Sequence, residues 1–118
     1  MDDAELKQRS KMFAIRIVRL YRALPRKAEA NILGKQLLRA GTSIGANYRA
    51  ACRSRSRAEF LAKLGIVLEE SDETVFWLEL MLETGVFPSA KLAGLIKEAN
   101  ELTAILVASL RTAKGIAA

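Results

Sequence analysis

The sequence predicts an all-α fold, an antiparallel up-down-up-down four-helix bundle that forms a single domain over residues 1–118. Four segments repeat apolar residues at intervals of three, four or seven, which is the spacing of one face of a helix. No stretch of useful length alternates apolar and polar residues as a half-buried strand does. Short turns join the four segments, and helices joined in this way pack as antiparallel neighbours.

The first helix is predicted from about Asp3 to Leu24. Its apolar stripe has spacings of seven, four, three and four and consists of Leu6, Phe13, Ile17, Leu20 and Leu24. Pro25 ends the helix, because a proline disfavours helical geometry in the residue before it.

The second helix is predicted to start between Ala28 and Ile32 and to continue to about Arg53. Three glycines lie inside it, at Gly34, Gly41 and Gly45. A glycine costs about 1 kcal/mol relative to alanine in a helix interior, so three of them require a packing reason. Because they share one side of a helical wheel, we expect another helix to pack closely against that side.

The same helix has a basic face opposite its core stripe. Four basic residues line this face and two more follow at the next turn: Lys35, Arg39, Arg49, Arg53, Arg55 and Arg57. Residues 26–63 have nine basic and two acidic side chains, whereas residues 64–83 have six acidic side chains and no basic one. The six basic residues are therefore candidates for phosphate contacts with a nucleic acid. The alternative is a solvated face, or one that pairs with acids of the third helix in a neighbouring subunit.

The third helix is predicted to begin at a capping-box pattern, in which Ser56 is the N-cap, and to continue to about Glu83. Gly85 is predicted to be its left-handed C-cap. Residues 75–82 are apolar nearly all round, whereas a surface helix of a small bundle is polar on one side. We therefore predict a contact with another subunit through three side chains of this segment: Phe76, Trp77 and Leu80.

The fourth helix is predicted to run to about Thr112, with Ser89 as its N-cap after Pro88. Its apolar stripe is supplied by Leu92, Leu95 or Ile96, Ala99, Leu102, Leu106 and Leu110.

The composition excludes several kinds of active site. The chain has no histidine, so the Glu-x-x-His pair of a di-iron bundle and a Cys/His zinc site cannot be formed. Cys52 is the single cysteine, and it has no histidine to activate it. The acidic side chains from Glu69 to Glu73 scatter over more than half of a helical wheel and do not converge on one ion. We therefore predict no enzyme, no metal and no cofactor.

No targeting or membrane-spanning segment is predicted. The N-terminal residues Met1 to Glu5 are too acidic for a secretory signal. The uncharged run over residues 102–110 is far shorter than the roughly 20 residues that a membrane-spanning helix needs. A single cysteine fits a reducing compartment. We expect a cytoplasmic protein without a membrane contact.

Two motifs in the middle of the chain, and the residues that follow them, resemble a known family. They are Gln36 to Tyr48, Ser56 to Leu64, Glu70, Glu73, Thr74 and Trp77 to Leu80. Together they resemble the bacterial four-helix bundle proteins encoded within intervening sequences of 23S ribosomal RNA genes. The chain departs from the family pattern at Ala50, where an acid is common, and at Glu69, where a lysine is common.

The resemblance implies a cytoplasmic, non-enzymatic bundle that commonly assembles as a ring of five subunits. The family is also similar to the accessory protein of diversity-generating retroelements, a basic ring that binds a reverse transcriptase and nucleic acid. The resemblance thus implies a homo-oligomer, RNA or DNA as a partner, and a reverse transcriptase as a protein partner.

Two functional hypotheses follow from the sequence. The first is a nucleic-acid-associated scaffold or accessory protein whose basic face contacts phosphates. The second is a protein–protein interaction module whose charged faces serve subunit or partner assembly and bind no nucleic acid.

Overall fold

A computed structural model describes residues 1–115 of the chain, and these residues form four helices. The helices are α1 (Asp3–Ala23), α2 (Ala28–Ala51), α3 (Arg57–Thr84) and α4 (Ser89–Ala113). Over the described range there is no strand. The helices pack side by side into a bundle of 45 × 25 × 20 Å, which confirms the predicted fold class.

Contacts between the helices establish their antiparallel order. The Tyr48 hydroxyl near the end of α2 donates to the Asp3 carboxylate at the start of α1, at 3.1 Å. Ser71 of α3 and Thr103 of α4 share a hydrogen bond of 2.6 Å. The guanidinium of Arg9 in α1 reaches two carboxylates in the middle of α4. The Arg57 guanidinium at the start of α3 donates to the carbonyl oxygen of Ala113 at the end of α4. The connections between consecutive helices have only four or five residues, too few to span the length of the bundle. Each helix therefore runs opposite to the one before it.

Local sequence signals set several helix ends. The Asp2 side chain accepts from the Glu5 amide at 2.8 Å and so caps α1. The Ser56 hydroxyl accepts from the Glu59 amide at 3.1 Å and caps α3 as predicted. Gly85 ends α3 with a φ of 69°, a left-handed conformation in which glycine avoids the strain of a side chain.

The start of α4 differs from the prediction. Ser89 is the first helical residue, and Pro88 occupies the N-cap position without a side-chain hydrogen bond. Proline fixes an extended entry into the helix but has no oxygen on its side chain to accept from the first turn. The prediction that Ser89 is the N-cap was therefore wrong.

A single apolar core lies along the axis of the bundle. Its largest fully buried side chains come from all four helices: Phe13, Ile17, Leu37, Ile44, Leu64, Leu78, Met81, Leu92, Leu102 and Leu106. Each such side chain contributes about 1.5–3 kcal/mol when it is fully buried. The predicted apolar stripes are therefore buried in the core, and the remaining helix surfaces face solvent or partners.

Candidate nucleic-acid interface

Glycines bring α1 close to the backbone of α2. Gly34, Gly41 and Gly45 all lie on the side of α2 that faces α1. A Cβ atom at Gly41 would lie 2.9 Å from the side chain of Ile17, and one at Gly45 would lie 3.3 Å from the carbonyl oxygen of Ser10. The missing side chains therefore allow close packing along this interface.

An open groove of about 530 Å³ lies between α1 and α2, at the end of the bundle where α1 begins and α2 ends. Four basic side chains line it, two from α1 and two from the last turn of α2 and the turn that follows it: Lys7, Lys11, Arg49 and Arg53. The other lining residues are small or uncharged, and no carboxylate is among them. None of the four bases makes an ion pair with a carboxylate within residues 1–115. We call this feature the α1–α2 groove.

Arg39 lies outside this groove because it binds α3 of its own chain. Its guanidinium donates to the Glu70 carboxylate at 3.3 Å and also to the Glu73 carboxylate. The hydrogen bond from Arg39 is the main reason why the pKa of Glu73 lies below its usual value. The sequence predicted that Arg39 contacts phosphates, with a solvated face or a pairing to α3 of a neighbouring subunit as the alternative. In the structure its carboxylate partners belong to α3 of its own chain, so the pairing forms within one chain and not between subunits.

Three other predicted basic residues also lie outside the groove. The Arg57 guanidinium donates to the carbonyl oxygen of Ala113 near the end of α4. Arg55 is exposed in the connection before α3, where its backbone amide donates to the Glu59 carboxylate at 3.4 Å. Lys35 is exposed on α2. Only two of the six predicted residues, both near the end of α2, thus line the groove.

Sequence reasoning missed Lys7 and Lys11, the two residues that α1 contributes to the groove. They are four residues apart and therefore lie on one face of α1. The sequence alone shows this spacing. It does not show that the two lysines face Arg49 and Arg53, because that follows only from the packing of α1 against α2.

The predicted subunit contact on α3 is only partly exposed. The Phe76 side chain is 56% exposed, whereas Trp77 and Leu80 are half-buried. The Trp77 ring lies edge-on to Phe76 with centroids 5.0 Å apart, and its indole nitrogen donates to the Glu73 carboxylate at 3.3 Å. Phe76 is therefore the most exposed large apolar side chain of this segment, and Leu82 is the other exposed one.

The described part of the chain holds no arrangement that points to catalysis. Cys52 lies beside Tyr48, a buried phenol whose pKa is raised, chiefly because of burial. No three or more acidic or thiol side chains within residues 1–115 are placed to hold a metal ion. None of the described helices is long and apolar enough to cross a membrane.

These features define a class: a small antiparallel four-helix bundle with a basic groove between its first two helices. The chain belongs to the 23S rRNA-intervening sequence protein family, whose family model matches residues 2–108. No match was found among curated proteins. The predicted family resemblance is thus confirmed.

A solved structure supports this assignment. The chain is similar to a protein of unknown function from the S23 ribosomal protein family of Bacteroides thetaiotaomicron, whose crystal structure was determined at 1.70 Å. The two share 39% sequence identity and superpose with a TM-score of 0.87. The match covers 94% of this chain and 99% of the other. The family fold therefore extends over nearly the whole chain.

Proposed function

We propose that this protein is a non-enzymatic, homo-oligomeric scaffold or accessory protein that associates with RNA or DNA through the α1–α2 groove. The observation that carries the proposal is the convergence of four basic side chains, from α1 and from the end of α2 with the turn after it, on one groove without a carboxylate. Each of these cations is available for a phosphate, because none is paired with an acid within residues 1–115.

The chemistry of the groove favours contacts with the phosphate backbone. Its lining includes no aromatic side chain on which a base could stack. Contacts from lysine and arginine to phosphates release counterions and carry no direct information about base sequence. We therefore expect binding that depends strongly on salt and weakly on sequence.

The distribution of charge over the whole chain supports this orientation. Residues 1–53, which contain α1 and α2, have twelve basic and four acidic side chains. Residues 54–118 have seven basic and nine acidic side chains. A polyanion is thus attracted to the α1–α2 side and repelled from the other side.

The proposal includes assembly and cellular setting. The exposed Phe76 supports a contact between subunits. The family resemblance implies a ring of five subunits, a reverse transcriptase as protein partner and a cytoplasmic location. These elements are proposed together with nucleic-acid binding, but each is tested by a separate measurement.

The binding test compares the wild type with the double variant Lys11→Ala/Arg49→Ala, by fluorescence anisotropy of labelled RNA and DNA at increasing salt. We expect the wild type to bind at low salt and to lose affinity as salt rises. The variant should bind about tenfold more weakly with a shallower salt dependence, because two phosphate contacts are lost. The control Lys97→Ala/Lys114→Ala removes the same charge from α4 and its end and should bind as the wild type does.

Absence of binding at low salt, or binding that does not weaken as salt rises, would contradict the proposal. An equal loss of affinity in the control would assign binding to net charge and not to the groove.

The rival function is a protein–protein interaction module, and the 56% exposure of Phe76 is the observation that favours it. Reversing the charge of Arg39 does not discriminate the two, because it also breaks the ion pairs with α3. Charge reversal at Arg49 and Arg53 avoids this difficulty. An intact assembly that loses nucleic acid supports our proposal, whereas loss of assembly supports the rival.

A further inference from the structure

We infer that a single strand of nucleic acid lies along the whole interface between α1 and α2, from one end of the bundle to the other. This inference rests on the proposed function and deepens it. The observation behind it is a second basic groove at the opposite end of the same helix pair. It has a volume of about 490 Å³ and is lined by three basic side chains around the turn between α1 and α2: Arg22, Arg26 and Lys27. We call it the turn groove.

The two grooves open on the same face of α1. Lys11 lines the α1–α2 groove and Arg22 lines the turn groove, eleven residues further along. Eleven residues make slightly more than three full helical turns, so the two side chains differ by only about 20° around the axis and by about 16 Å along it. A ligand that follows this face of α1 reaches both grooves.

Lys35 of α2 continues the row of positive charge between the two grooves. Fourteen residues, close to four helical turns, separate it from Arg49. It therefore lies on nearly the same face of α2 as Arg49. It is exposed and makes no ion pair with a carboxylate of the described chain. Lys35, one of the six basic residues predicted to contact phosphates, thus lies along this path.

No negative charge interrupts the path. The acidic residues of this half of the chain are Asp2, Asp3 and Glu5 at the start of α1, and Glu29 in the first turn of α2. None of them lines either groove. The acids of α3 are on another side of the bundle, where Glu70 and Glu73 bind Arg39. The path therefore offers cations alone to a ligand.

The width of the interface selects a single strand over a duplex. The axes of packed helices lie about 8–10 Å apart, so the furrow between α1 and α2 is narrower than the major groove of DNA alone, which is about 12 Å wide. A duplex is too wide to follow this furrow and would rest on its rim. A flexible single strand can follow the surface of the furrow from one groove to the other. The distance of about 16 Å between Lys11 and Arg22 spans about five phosphates at 3.4 Å each, and fewer when the strand is extended.

Recognition along this path is through phosphates. Tyr21 is the aromatic side chain that lines the grooves, and its hydroxyl donates to the side-chain oxygen of Asn31 at 3.2 Å. Its ring packs against the backbone at Gly34. The tyrosine is thus held by its own chain, and the shared ligand chemistry is the phosphodiester backbone of RNA or DNA.

The experiment uses three labelled probes. One is a single strand of about twelve nucleotides, which is within the size range of single-strand sites. The others are a strand of about three nucleotides, which is below that range, and a duplex of the longer sequence. Each probe is prepared as RNA and as DNA. The proteins are the wild type, Lys11→Ala/Arg49→Ala at the α1–α2 groove, Arg22→Ala/Lys27→Ala at the turn groove, and the control Lys97→Ala/Lys114→Ala. Circular dichroism melts verify that each variant is folded.

We expect each groove variant to bind the longer strand about tenfold more weakly, with the slope of log affinity against log salt reduced by about 0.7 for each lost contact. The control should bind as the wild type does. The wild type should bind the longer strand more tightly than the shorter strand and more tightly than the duplex. Because RNA and DNA share the phosphodiester backbone, we expect equal affinity for both. A preference for one of them would still support the proposed path and would identify which nucleic acid binds there.

Two outcomes separate this inference from the function on which it rests. If the turn-groove variant binds the longer strand with wild-type affinity and salt slope while the other variant is weakened, the extended path is wrong and the proposed function stands. If the duplex binds as tightly as the single strand, the single-strand path is likewise wrong and the proposed function stands. If no probe binds at low salt, both the inference and the proposed function fail.

Discussion

Two arginines of α2 show how position around a helix decides the role of a single residue. Arg39 and Arg49 are ten residues apart and therefore differ by about 80° around the axis. That rotation directs Arg39 to the carboxylates of α3, whereas Arg49 lines the groove with α1. The side chains are chemically identical. Their neighbours make one a structural contact and the other a candidate ligand-binding group.

Gly41→Ala is expected to destabilise the protein by about 1–3 kcal/mol, because the added methyl group overpacks the interface between α1 and α2. Its Cβ would lie 2.9 Å from Ile17, a branched side chain that is fully buried and cannot move aside freely. Urea unfolding of the variant measures this change.

Gly65→Ala is the matched control for this prediction. A Cβ at Gly65 meets no atom within 4 Å, so the variant should gain up to about 1 kcal/mol from higher helix propensity. Destabilisation of both variants by the same amount would contradict a packing role for Gly41.

At the scale of helices, polar pairs fix how α4 is attached to the rest of the bundle. Ser71 and Thr103 join α3 to α4 inside the bundle. The Thr103 hydroxyl also lies 2.8 Å from the carbonyl oxygen of Ala99, to which it donates. Since that proton is used, Ser71 must donate to Thr103. Arg9 forms the corresponding contact on the other side, between α1 and α4.

Thr103→Val should cost about 1–3 kcal/mol, because it leaves the fully buried Ser71 hydroxyl without its acceptor. The double variant Ser71→Ala/Thr103→Val removes both polar groups and should cost less than the sum of the single variants. A double-mutant cycle by urea unfolding measures the coupling. Additive single effects would contradict a direct hydrogen bond.

The contact between Arg9 and Glu98 predicts a pH dependence of stability. The hydrogen bond from Arg9 is the main reason why the pKa of Glu98 lies below its ordinary value of 4.5. The carboxylate therefore contributes its stabilisation above pH 4.5, and this contribution is lost as the pH falls through the lower pKa of the folded protein.

Glu98→Gln should consequently lower the free energy of unfolding at pH 7 by about 1 kcal/mol and lose less stability than the wild type between pH 4.5 and lower pH. Chemical unfolding across this pH range is the measurement. Glu83→Gln, at the exposed end of α3, serves as the control and should retain the wild-type profile. An unchanged acid slope in Glu98→Gln would refute the contact.

At the scale of the whole molecule, charge and apolar surface are on different helices. The α1–α2 half carries the excess of basic residues, whereas Phe76 is exposed on the acidic helix α3. A subunit contact through α3 would leave the α1–α2 grooves open. Oligomerisation and nucleic-acid binding are therefore compatible on one chain, and an assembly would repeat the basic path on each subunit.

Phe76→Glu should dissociate the proposed oligomer, because it places a charge in the subunit contact. Light scattering should then change from a multiple of the 13.0 kDa chain mass to a single copy. Met12→Glu alters an apolar side chain of α1 that is 47% exposed and should leave the assembly intact. A monomeric wild type would refute the interface outright.

The sequence by itself determined the four helices, most of their ends and the composition of the core. These features depend on local chemistry, since Ser56 caps a helix through an amide three residues away and Gly85 ends one by its own backbone conformation. The periodic stripes identified the buried side chains for the same reason. The failure at Ser89 is local as well, because Pro88 was able to occupy the N-cap position.

Only the tertiary structure decided which charges lie together. Lys11 and Arg49 are far apart in the chain but line one groove. Arg39 instead forms ion pairs with acids of α3. A helical wheel gives the direction of each side chain relative to its own axis, but the neighbour in that direction depends on how the helices pack. The sequence therefore identified the basic helix, and the packing of α1 against it formed the groove.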